Sequence, residues 1–170
     1  MPAEVILASG LAVGEELDRE RARRLNRELH RHEAMSRAAR ALARRDLSER
    51  ELGERLQRSR VAPALRDEAV ARLAGVGLVD DDRLARRRAE LLAERGSGDA
   101  LIRHDLAGRG IAGEVVEAAL AGLEPEHARA ARILRARGPS LKTVRYLARK
   151  GFSEESIGDP VAEGAPPAVR

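Results

Sequence analysis

Cysteine and tryptophan are absent from this chain of 170 residues, and Tyr146 and Phe152 are its only aromatic side chains. Lack of cysteine rules out disulfides and thiolate metal sites. Lack of large rings removes the side chains that normally anchor one deep core, each burying about 150–250 Å². Thin helical layers suit such a chain better. The β-branched and aromatic runs that mark strands are missing too. No apolar run approaches the roughly 18 residues that cross a bilayer, and the N-terminus carries no secretory pattern, so the expected location is the cytoplasm with no membrane contact. G-x-x-x-x-G-K-[ST] does not occur, and no cofactor is expected.

What remains is dominated by alanine, leucine, arginine and glutamate, all good helix formers, with 43% hydrophobic and 35% charged residues. The predicted fold is all-α. The stretch "SGDALIRHDLAGRGI" at 97–111 has two partners. Leu106, Gly110 and Ile111 match Leu147, Gly151 and Phe152 of "LKTVRYLARKGF" at an offset of 41. Ile102, Leu106 and Ile111 match Leu52, Leu56 and Val61 of "LSERELGERLQRSRV" at an offset of 50. Each copy is preceded by a helical run, and the first two are followed by another. The unit is therefore three helices, repeated three times: 36–77, 78–123 and 124–163, after a helical lead-in at 1–35 and before a disordered tail at 164–170. Short helices bury their stripes only against neighbours, so tandem three-helix repeats are expected to form an elongated, curved, right-angled or solenoid-like stack.

Boundary signals support the helices. Ser48 and Glu51 make an S-x-x-E capping box, Ser153 caps the last helix, Pro125 suits a first turn, and Gly96, Gly110 and Gly151 stop helices in left-handed turns. The glycine pair around Ser97 reads as a linker between helices. Asp80, Asp81 and Asp82 point three ways on a helix and read as an N-terminal cap with favourable dipole charges, not as a metal site. His30 and His32 are two apart and share no helix face, and His104 and His127 are isolated. No catalytic, metal or cofactor-binding residue emerges.

Charge is more informative. The chain sums to +4. Residues 125–152 hold eight Arg or Lys against one Glu, residues 78–123 seven against nine acidic, and residues 153–170 one against four. Asymmetry of this kind marks an interaction surface. From Leu141 onward, Lys142, Arg145 and Arg149 recur on one helix face, with Leu141, Val144 and Ala148 on the adjoining face, expected to pack. The candidate partner- and DNA-binding residues are Arg103, Arg109, Arg132, Arg135, Lys142, Arg145, Arg149 and Lys150.

"GLVDDDRLARRRAELLAERGSGDALIRHDLAGRGI" resembles the central signature of the RecX family: a leucine-aspartate opening, a helix, a Gly-x-Gly turn, then I-x-x-x-L-x-x-x-G-I. "ALARRDLSERELGERL" is similar to the family's first repeat, "YLARKGFSEESI" to its third, and "GLAVGEELDRERARRL" to its lead-in. The resemblance covers about residues 10–157. It implies a non-enzymatic regulator of the RecA recombinase that lies in the groove of the RecA–DNA filament and inhibits filament growth, ATP turnover, strand exchange and coprotease activity in recombinational repair and the SOS response. It also implies weak, non-specific contact with single- and double-stranded DNA, by a monomer. The chain departs from the family in having Leu84 where a phenylalanine is usual and Arg88 near a frequent tryptophan, and "EVIL" at 4–7 corresponds to a short β-rich start. The residues alone leave two other readings open, a helix-turn-helix DNA-binding protein and a helical-repeat adaptor.

Overall fold

Side-chain caps open several helices and left-handed residues close others. The computed structural model describes residues 2–10 and 18–158; the lead-in residues 11–17 and the tail lie outside the described residues. Among those described there are ten helices and no strand: α1 (Ala3–Ser9), α2 (Arg19–Leu42), α3 (Glu49–Arg58), α4 (Pro63–Gly75), α5 (Asp81–Glu94), α6 (Asp99–Gly108), α7 (Gly113–Ala121), α8 (Glu126–Arg137), α9 (Leu141–Arg149) and α10 (Glu154–Ile157). They divide into two compact units, Met1–Asp80 and Asp81–Arg170.

In the first unit, α2, α3 and α4 pack together around Ala34, Ala38, Ala41, Leu47, Leu52, Leu56, Ala69, Leu73 and Val79. Ser48 accepts from the Glu51 N–H at 3.1 Å while the Glu51 carboxylate accepts from the Ser48 N–H at 3.1 Å, so the capping box forms as expected. Residues 4–7 are not a strand. A lone extended segment would leave its backbone groups unpaired, whereas α1 satisfies them internally and buries Val5 as it packs on α2. The 24-residue α2 runs unbroken through position 35.

In the second unit, α5, α6 and α7 enclose Ala85, Ala89, Ile102, Leu106, Ile111, Val116, Ala119 and Leu120, with Leu84 packed against them. Helices α8, α9 and α10 enclose only Ala130, Leu147, Phe152 and Ile157.

The three copies of the motif close their middle helix in the same way. Val61, Ile111 and Phe152 each return an N–H to the carbonyl of Leu56, Leu106 and Leu147, at 3.1, 3.3 and 3.1 Å. The residue before each is left-handed: Arg60 (φ 58°), Gly110 (φ 76°) and Gly151 (φ 82°). This six-to-one closure pulls the following apolar side chain back onto the helix, which is why Ile111 and Phe152 are buried. On α9 the expected packing face holds for Val144, which is half-buried against the third core, but not for its two companions. Leu141 is 69% exposed and Ala148 is exposed, and the packed side is Thr143 and Leu147. Thr143 occupies the position of Leu52 and Ile102, which carries the inward face past Leu141 by helix periodicity, and its hydroxyl is satisfied by the Gly138 carbonyl at 2.9 Å.

Candidate interaction surface

The eight candidate cations sort into two groups once their partners are known. Arg103 makes a two-pronged bond to Glu117 at 2.7 and 3.0 Å, and Arg132 meets Glu124 at 2.6 Å. Arg109 reaches Asp105 at 3.2 Å, and Arg88 also clamps Asp105, at 2.9 and 2.8 Å. Arg88 and Arg109 thus share one carboxylate. The Arg88 hydrogen bonds, reinforced by Arg109, hold the Asp105 carboxyl below its usual range against the opposing effect of burial. These cations are neutralised by their own chain.

Arg135, Lys142, Arg145 and Arg149 are exposed, and no carboxylate among the described residues lies in ion-pair range of them. Lys142, Arg145 and Arg149 line one side of α9, whose start is fixed by the Ser140 hydroxyl accepting from the Thr143 N–H at 3.3 Å. The exposed Leu141 lies at the head of the same helix. Lys150 is half-buried, with its ammonium 6.0 Å from the centre of the Tyr146 ring, and the Arg137 guanidinium sits 4.1 Å from that centre. The surface is thus a row of cations without a carboxylate partner among the described residues, carried by a helix whose back buries Thr143 and Leu147.

The residue that ties α8 to the Ser97–Asp99 turn was not among the candidates. Arg129 is only 3% exposed. It donates to the Glu124 carbonyl at 2.9 Å, to the Ser97 carbonyl at 2.8 Å and to the Asp99 carboxylate, and it lies 5.8 Å from the centre of the Phe152 ring. Glu126 mirrors it, accepting from the Asp99 N–H at 2.6 Å and from the Ser153 hydroxyl and N–H at 2.7 and 3.2 Å. Burial opposes ionisation of Glu126, yet the bonds from Asp99, Ser153 and Ser156 prevail and its carboxyl is held below the usual range. Between them, Gly98 and Ala100 donate to the Lys150 and Gly151 carbonyls at 2.8 and 3.1 Å. A methyl on Gly98 would overlap the Gly151 carbonyl and Phe152 nitrogen, and one on Gly151 would sit 2.6 Å from the Leu101 nitrogen. The turn that reads as a linker is a docking seat, with Ser97 and Gly98 buried. Only the two glycines signalled it, and nothing local to either one names the other.

Among the described residues no group of three or more His, Asp or Glu could hold a metal ion, and no helix is long and apolar enough to cross a membrane. His104 and His127 are exposed, and His32 lies 3.4 Å from Glu4.

No protein-family model matches the chain. It is, however, 36% identical over 134 residues to the regulatory protein RecX of Chromohalobacter salexigens, across 74% of this chain and 88% of the relative. It is 32% identical over 149 residues to that of Deinococcus radiodurans, across 82% and 72%, and 32% identical over 130 residues to that of Halorhodospira halophila, across 71% and 81%. The chain belongs to the RecX family. The fold agrees: a crystal structure of a regulatory protein RecX superposes with a TM-score of 0.75 at 20% identity over 90% of this chain and 83% of its own, and RecX from Lactobacillus salivarius with 0.68 at 18% identity over 79% and 96%.

Proposed function

We propose that this RecX-family chain restrains the RecA recombinase, acting in the cytoplasm as a monomer on the RecA–DNA filament to limit filament growth, ATP turnover, strand exchange and coprotease activity in repair and the SOS response. The observation that carries the reading is the α9 row of cations, Lys142, Arg145 and Arg149, that have no ion-pair partner among the described residues. A regulator that associates with a nucleoprotein filament needs complementary charge and no catalytic group. Exposed charges act over about 8 Å at physiological ionic strength, so the attraction falls as salt rises.

The test follows ATP hydrolysis by the cognate recombinase on single-stranded DNA. Wild type should inhibit, less so at high salt. A variant with Lys142→Glu, Arg145→Glu and Arg149→Glu should remain helical by circular dichroism and inhibit poorly even at low salt. A folded variant as inhibitory as wild type at every salt concentration would move recognition away from α9, and a wild-type chain without effect on the recombinase would favour the adaptor reading.

A further inference from the structure

The α9 surface is singled out by more than its charge. The chain carries 32 lysine and arginine residues, and only Lys142 and Lys150 are lysines. Lys142 lies in the first turn of α9 and Lys150 caps its end. A lysine ammonium can release its proton to become a nucleophilic amine, whereas a guanidinium keeps its charge and cannot. The only side-chain amines of the protein therefore stand on the element that carries its row of exposed cations. Their surroundings differ. The Lys150 ammonium is half-buried, 6.0 Å from the centre of the Tyr146 ring, on which the Arg137 guanidinium also sits at 4.1 Å. Lys142 is exposed, as are Arg145 and Arg149, and no carboxylate among the described residues is in ion-pair range of the three. At about 100° per residue these three fall within about 60° of arc. Lys142 and Arg145 are three residues apart, which places their Cβ atoms about 5–6 Å from each other. An amine and two guanidiniums open to an anion thus share one strip of α9.

We propose that Lys142, Arg145 and Arg149 form a modification site for acyl phosphates, in which the arginines hold the phosphoryl group and the Lys142 amine takes the acyl group. Guanidinium groups bond phosphoryl oxygens in pairs. In an acyl phosphate the reacting carbonyl carbon is joined to the phosphoryl group through a single oxygen, so a phosphoryl group held at Arg145 brings that carbon to the neighbouring amine. A coenzyme thioester carries its phosphates at the far end of a long arm and gains nothing from such a hold. In the reaction the Lys142 ammonium first gives a proton to solvent. The nitrogen lone pair forms a bond to the acyl carbon, the bond from that carbon to the phosphate oxygen breaks with its electron pair staying on the departing inorganic phosphate, and the nitrogen gives a second proton to solvent. The product is an uncharged amide, so one of the three cations in the row is erased while every arginine of the chain keeps its charge. What this does to filament contact rests on the function proposed above; the modification itself does not.

The full chain is treated with acetyl phosphate and, in parallel, with N-acetoxysuccinimide, an acetyl donor without phosphate, and acetylation at each lysine is followed by mass spectrometry of arginine-cleaved peptides. The quantity read is the ratio of the two rates at one lysine, which cancels differences in how readily each amine reacts. The ratio should be higher at Lys142 than at Lys150. Inorganic phosphate should lower it at Lys142 more than sodium chloride of equal ionic strength does. Arg145→Gln together with Arg149→Gln should lower the Lys142 ratio about fivefold at low salt, the size of an exposed charge contact. An unchanged ratio in a variant that stays helical by circular dichroism overturns the proposal, as does an equal ratio at the two lysines. If the variant loses helicity, phosphate competition on the unaltered chain decides the matter, and equal effects of phosphate and chloride overturn the site. No recombinase enters the assay, so a chain that leaves ATP hydrolysis untouched defeats the reading of function without touching this one.

Discussion

The second and third helix triplets, α5–α7 and α8–α10, carry the same motif but hold themselves together differently. The former buries eight hydrophobic residues in its own core; the latter buries four. Its final helix is a single turn, and its central helix turns Thr143 inward where the sister helices have Leu52 and Ile102. What α8–α10 lacks in core it gains from its neighbour, through Arg129, Glu126 and the Gly98–Gly151 approach. A repeat need not be self-sufficient when the preceding one offers backbone groups to bind. The free cations of α9 are thus presented by an element whose position is set by polar bonds to α5–α7.

The severest way to break that arrangement is Arg129→Ala. It removes three bonds from a buried cation and leaves Asp99 and two carbonyls without their donor, which should cost about 3–5 kcal/mol. Tyr146 is the chain's only tyrosine and no tryptophan competes with it, so its fluorescence reports on the third triplet alone. That signal should melt earlier than the helical circular dichroism; coincident, unshifted transitions would show that the junction contributes nothing. Leu106→Ala deletes a fully buried anchor from the second triplet and should cost about 2–5 kcal/mol, with both signals shifting downward because the docked triplet loses its support. Gly98→Ala should cost about 2–3 kcal/mol by overpacking the seat, again seen first in Tyr146.

Acid sharpens the comparison further. Asp105 supports the second triplet and Glu126 the junction, and both carboxyls are depressed in the folded chain relative to ordinary values of 3.8 and 4.5. Their stabilisation is complete above those ordinary values and is lost as pH falls through the folded ones. Melting temperature should therefore be flat from neutral pH to about 5 and decline below about 4, with a shallower decline in Asp105→Asn. The smallest effect extends the comparison to the first triplet: Arg60→Gly relieves the left-handed side chain and should raise stability by up to about 1 kcal/mol in denaturant unfolding.

Much of this was legible in the sequence. The all-helical class followed from composition, and the buried set Leu52, Leu56, Ile102, Leu106, Ile111, Leu147 and Phe152 followed from aligning the repeats, because period and offset encode which side faces inward. The Ser48 and Ser153 caps and the glycine stops were readable because their chemistry is local. Three things were not. The inward turn of Thr143 was hidden by the better hydrophobicity of Leu141, since a satisfied hydroxyl looks polar until its Gly138 partner is known. The sorting of cations into paired and free depends on carboxylates up to 37 residues away, as Arg31 and Glu68 illustrate. The junction rests on two glycines 53 positions apart, whose contact is made of backbone and leaves no residue-type signature.

The backbone bonds at that junction also give the protein a clock. The amide hydrogens of Gly98 and Ala100 are held by carbonyls of the third triplet, so they are released to solvent deuterium when that triplet lifts away. Their exchange, followed residue by residue, times individual departures of α8–α10, while the Leu106 amide, bonded within its own helix, times the opening of its host. The ratio of the two rates measures how often the α9 cations come adrift from an otherwise intact neighbour.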